Sequence, residues 1–128
     1  MERKSLLVVD DSATFRQLLS MSLKRVEGIS QVDITEACDG EDALQKLERG
    51  AFDLLLTDLR MPKMDGLELV RRVRSELNNA NLPIIIISTK GEEKDIELGM
   101  QIGASGYLSK PVSMARLKEV VSSFLVKS

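Results

Sequence analysis

Five polar side chains in this sequence stand at the ends of short apolar runs, and their types suit phosphoryl chemistry. Asp10 and Asp11 follow Leu-Leu-Val-Val, Asp58 follows Leu-Leu-Leu-Thr, Ser88 follows four isoleucines, and Lys110 follows Tyr-Leu-Ser. Taken singly, each reads as a helix cap or a surface charge. Brought together, the carboxylates of Asp10, Asp11 and Asp58 would repel one another and raise one another's pKa values unless a cation neutralised them. With oxygen donors alone, the preferred ion is Mg²⁺, with Mn²⁺ as a substitute. Such an ion keeps Asp58 ionised and draws in a phosphoryl group, whose remaining oxygens the Lys110 ammonium can balance. This is equipment for phosphoryl transfer onto a carboxylate, with the Ser88 hydroxyl placed to hydrogen-bond the product. Ser88 is itself a poor nucleophile, because no base accompanies it.

These residues can meet only if their runs are neighbouring strands. Ser5–Val9, Leu54–Leu56 and Ile84–Ile87 are apolar without alternation, the pattern of strands buried on both faces. Residues 31–36 alternate, Val32 and Ile34 against Asp33 and Thr35, as an edge strand with one wet side does. Residues 105–109 form a short fifth strand. Between the strands lie helical spacings: Phe15, Leu18, Leu19, Leu23 and Val26 after a Ser12 cap, and Ala43, Leu44 and Leu47 over 41–49. The helix over about 65–77 buries Leu67, Leu69, Val70, Val73 and Leu77, with Arg71, Arg72 and Arg74 toward water. A helix over 92–102 rests on Ile96, Met100 and Ile102 and carries an interior glycine, Gly99, that costs about 1 kcal/mol relative to alanine. The last helix, over about 113–126, buries Leu117, Val120, Val121, Phe124 and Leu125. Strands alternating with helices predict a flavodoxin-like, doubly wound α/β domain, a five-stranded parallel sheet with five helices. The order 2-1-3-4-5 puts the alternating second strand and the short fifth strand at the two edges. It also gathers Asp10, Asp11, Asp58, Ser88 and Lys110 at one crevice beyond the carboxyl ends of the strands.

Composition narrows the remaining classes. At 128 residues the chain suits one core, and a single domain over 1–128 is expected. Eighteen basic residues against 20 acidic ones leave a net charge of −2, so neither nucleic acid nor an anionic membrane is an expected partner. No apolar run is long enough to span a bilayer or serve as a signal peptide, and the single cysteine, Cys38, excludes an internal disulfide, so a cytoplasmic location is expected. With no histidine, Ser/His and Cys/His catalysis and a phosphohistidine carried on this chain are excluded.

Four pieces in order, Val-Val-Asp-Asp-Ser at 8–12, Thr-Asp-Leu-Arg-Met-Pro at 57–62 with Met-Asp-Gly at 64–66, the serine ending the isoleucine strand, and Gly-Ala-Ser-Gly-Tyr-Leu-Ser-Lys-Pro at 103–111, carry a specific resemblance. The chain resembles the receiver domains of two-component response regulators, of the stand-alone chemotaxis type called CheY, from Leu6 to about Leu125. CheY is itself a known example of the 2-1-3-4-5 order, so the resemblance implies that topology as well. It implies that Asp58 accepts phosphate from the phosphohistidine of a histidine kinase. It further implies that Asp11, Asp58 and the Arg60 backbone carbonyl bind Mg²⁺, with Asp10 acting largely through water. Ser88 and Tyr107 would form the switch, the Lys110–Pro111 bond would be cis, and a downstream target protein would read the surface of the fourth helix, fifth strand and fifth helix. No membrane insertion and a monomer or weak dimer are expected. Arg60 and Lys90 stand two residues beyond Asp58 and Ser88, where the family varies and side chains screen the phosphate from water. The alternatives are a receiver fragment of a larger regulator or hybrid kinase, and a Mg²⁺-dependent aspartyl-phosphate phosphatase. The second would need an acid where Arg60 stands, and more chain.

Overall fold

A computed structural model describes residues 3–89 and 91–126; Lys90 lies outside them. Five strands alternate with five helices: β1 (Arg3–Val9), α1 (Ala13–Leu23), β2 (Gln31–Ala37), α2 (Gly40–Arg49), β3 (Leu54–Asp58), α3 (Gly66–Ser75), β4 (Ile84–Ser88), α4 (Glu93–Ile102), β5 (Gly106–Ser109) and α5 (Met114–Leu125). All strand pairs are parallel and the order is β2-β1-β3-β4-β5, as expected.

The apolar runs are explained by the two cores they serve. Alternate residues of the three central strands point to opposite faces, as the pleat requires. Leu6, Val8, Leu54, Leu56, Ile85 and Ile87 pack under α1 and α5 against Leu19, Leu23, Leu117 and Val121. Leu7, Val9, Leu55, Ile84 and Ile86 pack under α2, α3 and α4 against Ala43, Leu69, Val70 and Val73. Four of the five helices start on a side-chain cap, in which Ser12, Asp39, Asp65 and Ser113 accept from the backbone N–H three residues on. α3 ends at Ser75, and the turn after it passes through Asn78, which takes the left-handed conformation at φ 51°. The Leu77 N–H then reaches the Arg72 carbonyl and the Asn79 N–H the Val73 carbonyl, closing the helix end.

Three side chains face otherwise than helical spacing alone predicts. Leu18 and Met100 are exposed, at 49% and 39%, because the buried stripes run through Leu19 and Leu23 on α1 and through Gly99 on α4, one residue out of phase. Arg74 does not face water. Its guanidinium donates twice to the Gly103 carbonyl, at 3.0 and 2.7 Å, and once to the Asn79 carbonyl, at 2.9 Å. It thereby caps the end of α4 from α3, and burial lowers its pKa. Arg71 and Arg72 pair with Glu68 on the surface, as a solvated face does.

Two glycines show how closely the helices approach the sheet near its carboxyl end. A Cβ on Gly66 would lie 2.5 Å from the Asp58 carbonyl oxygen and 3.1 Å from the Leu59 Cα, both rigid backbone. A Cβ on Gly99 would meet the Ile86 Cδ1 at 2.5 Å and the Leu67 Cδ2 at 3.2 Å, both ends of flexible side chains. Gly66→Ala is therefore expected to destabilise the fold by about 2–4 kcal/mol, as overpacking against backbone does. Gly99→Ala should stay within about 1 kcal/mol of wild type, because helix propensity offsets the crowding. Urea unfolding of the two variants tests this; equal losses would show that α3 yields at Gly66.

Candidate functional site

The ladder hydrogen bonds continue one residue past the strand ends and so fix the crevice. The Asp10 N–H donates to the Ala37 carbonyl at 3.2 Å, the Leu59 N–H to the Ile87 carbonyl at 2.9 Å, and the Lys110 N–H to the Ser88 carbonyl at 2.7 Å. The structure brings Asp10, Asp11 and Asp58 together: each offers a carboxylate oxygen, and the three lie within 4.8 Å of one another. Asp10 and Asp58 are buried, while Asp11 is exposed at the rim. The Lys110 Nζ stands 3.4 Å from the Asp58 Oδ1 and 3.8 Å from the Asp10 Oδ2.

Electrostatics follow from that crowding. Burial, and next the Asp10 carboxylate, push Asp58 from the ordinary 3.8 up to about 6, against the pull of Lys110 and the Leu59 N–H. Asp10 is also raised, chiefly by burial, although it accepts from the Ser12 N–H at 2.8 Å. Its Oδ2 is buried and receives no hydrogen bond. A buried carboxylate oxygen with an open lone pair, beside two others and with no nitrogen or sulfur donor in the group, fits a hard divalent cation of the Mg²⁺ type.

The other expected residues take these places. Ser88 is fully buried at the end of β4, and its Oγ has no hydrogen-bond partner. Tyr107 on β5 is 51% exposed and lies beside Met100 along a groove of about 680 Å³ that reaches Lys110. Arg60 lies in the loop after β3 with its side chain turned toward α4. It donates to Glu92 at 2.9 Å and pairs with Asp95. Glu92 in turn accepts from the Thr89 N–H and Oγ1, at 2.6 and 2.9 Å. Lys110–Pro111 is cis.

Sequence reasoning misses two supports of this crevice. Arg16, on α1, donates to the Asp10 carbonyl at 2.5 Å and to Glu36 on β2 at 3.0 Å. Phe15, read only as a core position, places its ring 4.6 Å below the Lys110 Nζ. Helical spacing shows which face a residue takes, and nothing in it signals a partner on another element.

The response regulator receiver domain matches residues 6–122. The chain belongs to the response regulator receiver family. The chemotaxis protein CheY1 of Helicobacter pylori is 39% identical over 115 residues, 89% of this chain and 90% of that protein. The alkaline phosphatase synthesis transcriptional regulatory protein PhoP of Bacillus subtilis is 37% identical over 125 residues, 98% of this chain. The chain spans about half, 50%, of that relative's length. The structure of the chemotaxis response regulator CheY4 of Vibrio cholerae superposes with a TM-score of 0.85 at 31% identity, covering 96% of this chain and 99% of that one. Receiver domains are phosphoacceptor switches that bind Mg²⁺ in an acidic pocket, take phosphate from histidine kinases and act on downstream effectors. Among the described residues of this receiver, no helix is long and apolar enough to cross a membrane.

The raised pKa of Asp58 has a consequence for stability without divalent ions. A carboxyl whose folded pKa lies above its unfolded one favours the fold at low pH, and that contribution is lost as pH rises through the folded value. Asn at position 58 keeps the acceptor for the Leu59 N–H and removes the charge. Asp58→Asn should therefore match wild-type stability below about pH 4 and exceed it by about 1–3 kcal/mol above about pH 6. Urea titrations across that range in EDTA check this; a gap independent of pH would show that the carboxylate's charge is not the cause.

Proposed function

We propose that this receiver is a phosphorylation switch whose phosphoacceptor is Asp58, as one domain over residues 1–128. The observation that carries this reading is the placing of Asp58 among two further carboxylates with the Lys110 ammonium 3.4 Å away. The donor is the phosphohistidine of a histidine kinase. A bond forms between an Asp58 carboxylate oxygen and phosphorus as the bond from phosphorus to the imidazole nitrogen breaks. The electron pair leaves with the imidazole. Asp11, Asp58 and the Arg60 carbonyl would hold Mg²⁺, with Asp10 acting largely through water, and the ion would supply charge neutralisation. Lys110 balances a further phosphoryl oxygen, and the Ser88 hydroxyl, which lacks a partner at rest, supplies a hydrogen bond to the product.

The switch then runs through Ser88 and Tyr107. With the Tyr107 ring outward and the Ser88 Oγ unbonded, the present arrangement is the resting one. Phosphate biases the pair only by interacting more favourably with the other arrangement. The surface of α4, β5 and α5, where Met100 and Tyr107 are exposed, is the output face for a target protein. The domain's own chemistry is limited to phosphorylation and dephosphorylation of Asp58, in the cytoplasm and as a monomer or weak dimer. Its relatives include a chemotaxis protein of nearly its own length and a transcriptional regulator about twice as long. A single-domain chemotaxis regulator is the reading supported by the first, and a receiver within a larger regulator by the second. A phosphatase is disfavoured, since the place for its second acid is held by Arg60, which is paired with Glu92 and Asp95.

Acetyl phosphate should label the wild type in Mg²⁺ but not in EDTA, and should leave Asp58→Asn unlabelled. Unlabelled, correctly folded wild type would restrict the crevice to cation or partner binding. Arg60 stands two residues beyond Asp58 with its guanidinium drawn to Glu92 and Asp95, and Arg60→Asn, which removes a cation from the loop that follows the phosphoacceptor, should shift the rate of hydrolysis by about threefold to tenfold. Release of labelled phosphate at an unchanged rate would remove Arg60 from any such role.

A further inference from the structure

Resting on the receiver reading above, we infer that Phe15 is a positioning residue for phosphoryl transfer, because its ring holds the Lys110 ammonium at the mouth of the crevice. Lysine is a point charge on a flexible stem and must be held if it is to meet a phosphoryl oxygen. Its surroundings supply three partners: the Asp58 Oδ1 at 3.4 Å, the Asp10 Oδ2 at 3.8 Å and the centroid of the Phe15 ring at 4.6 Å. The two carboxylates change their demands during the reaction, since one becomes an acyl phosphate and both face the cation. The ring does not change. It attracts the ammonium through its quadrupole, an attraction that grows as water is excluded.

The ring is itself well held. Phe15 is the third residue of α1 and packs against the core between the sheet and α5. Its backbone N–H donates to the Ser12 Oγ at 3.2 Å, and the Ser12 N–H donates to the Asp10 Oδ1 at 2.8 Å. The cap that starts α1 therefore fixes the carboxylate and the aromatic ring together, and Lys110 is placed between them. An aliphatic side chain at position 15 would fill the same core volume and offer the ammonium nothing.

The test compares wild type with Phe15→Leu, Phe15→Tyr and a full-length chain carrying pentafluorophenylalanine at position 15, which keeps the ring's shape and reverses its quadrupole. The readouts are the rate of labelling by acetyl phosphate at saturating Mg²⁺, the Mg²⁺ affinity by calorimetry, and the melting temperature. Phe15→Leu and the fluorinated chain should both label about 3- to 10-fold more slowly, with Phe15→Tyr within about 2-fold of wild type. Mg²⁺ affinity should hold within about 2-fold in all of them, since the ring meets the lysine and the core and offers no ligand atom to the ion. A fluorinated chain as fast as wild type, or a Phe15→Leu variant whose rate falls only in step with Mg²⁺ affinity and melting temperature, would reduce Phe15 to a packing residue and overturn the inference. Labelled wild type with unaffected variants overturns the role of Phe15 alone. Unlabelled wild type overturns the receiver chemistry beneath it.

Discussion

Two carboxylates buried side by side are the constraint around which this domain is arranged. Asp10 and Asp58 are 1% and 7% exposed, and ionising both in that position is unfavourable in the absence of a cation. The compensation comes from two directions: the Ser12 and Leu59 N–H groups donate to them, and Lys110 faces both. The Asp10 Oδ2 still receives no hydrogen bond. None of this contributes to the core, and the raised pKa of Asp58 marks it as a local cost to stability. A fold can carry such a cost only if the rest of it is rigid enough to prevent the carboxylates from turning out into solvent.

That rigidity comes from the strands' apolar residues. Every residue of β3 and β4 is buried, and both faces of the central sheet are covered by helices. The register of such a sheet is tightly specified, because a slip of one residue would turn the buried set to the wrong face. Once the register is set, the first residue beyond each apolar run is confined to the carboxyl edge. The site is thus a by-product of where hydrophobicity stops along four strands.

For the same reason the fold and the crevice are largely legible in the sequence. The unbroken runs of β1, β3 and β4, the alternation of β2 and the polar residue after each run all follow from the period-two geometry of a strand. Helix spacing is a coarser guide. It assigns Leu18 and Met100 to buried stripes that run one residue away, and it sends Arg74 to solvent although its guanidinium closes the end of α4. Interactions between elements leave no periodic trace: Arg16 with Glu36, Phe15 with Lys110, and Arg60 with Glu92 each join residues from different parts of the chain. The folded topology is what pairs them.

Those pairings leave the two ends of α4 unequally held. At its C-terminal end, the Arg74 guanidinium makes two hydrogen bonds to the Gly103 carbonyl in partly buried surroundings. Hydrogen bonds from a charged group are worth about 1.5–3 kcal/mol each in such settings. At its N-terminal end, Glu92 and Asp95 are held by Arg60, whose side chain is 62% exposed, and ion pairs of that kind contribute about 0–1 kcal/mol. α4 also lacks the side-chain cap that starts the other four helices, because the Glu92 carboxylate is engaged with Thr89 and Arg60 instead. Displacing the end of α4 nearest Asp58 therefore costs less than displacing the far end. Gly99 lets the middle of the helix sit directly on Ile86 and Leu67, so a displacement at the near end is resisted by contact rather than by a large side chain locked into the core. The end of α4 that is easier to move is thus the one held by Arg60, two residues beyond Asp58 in the chain.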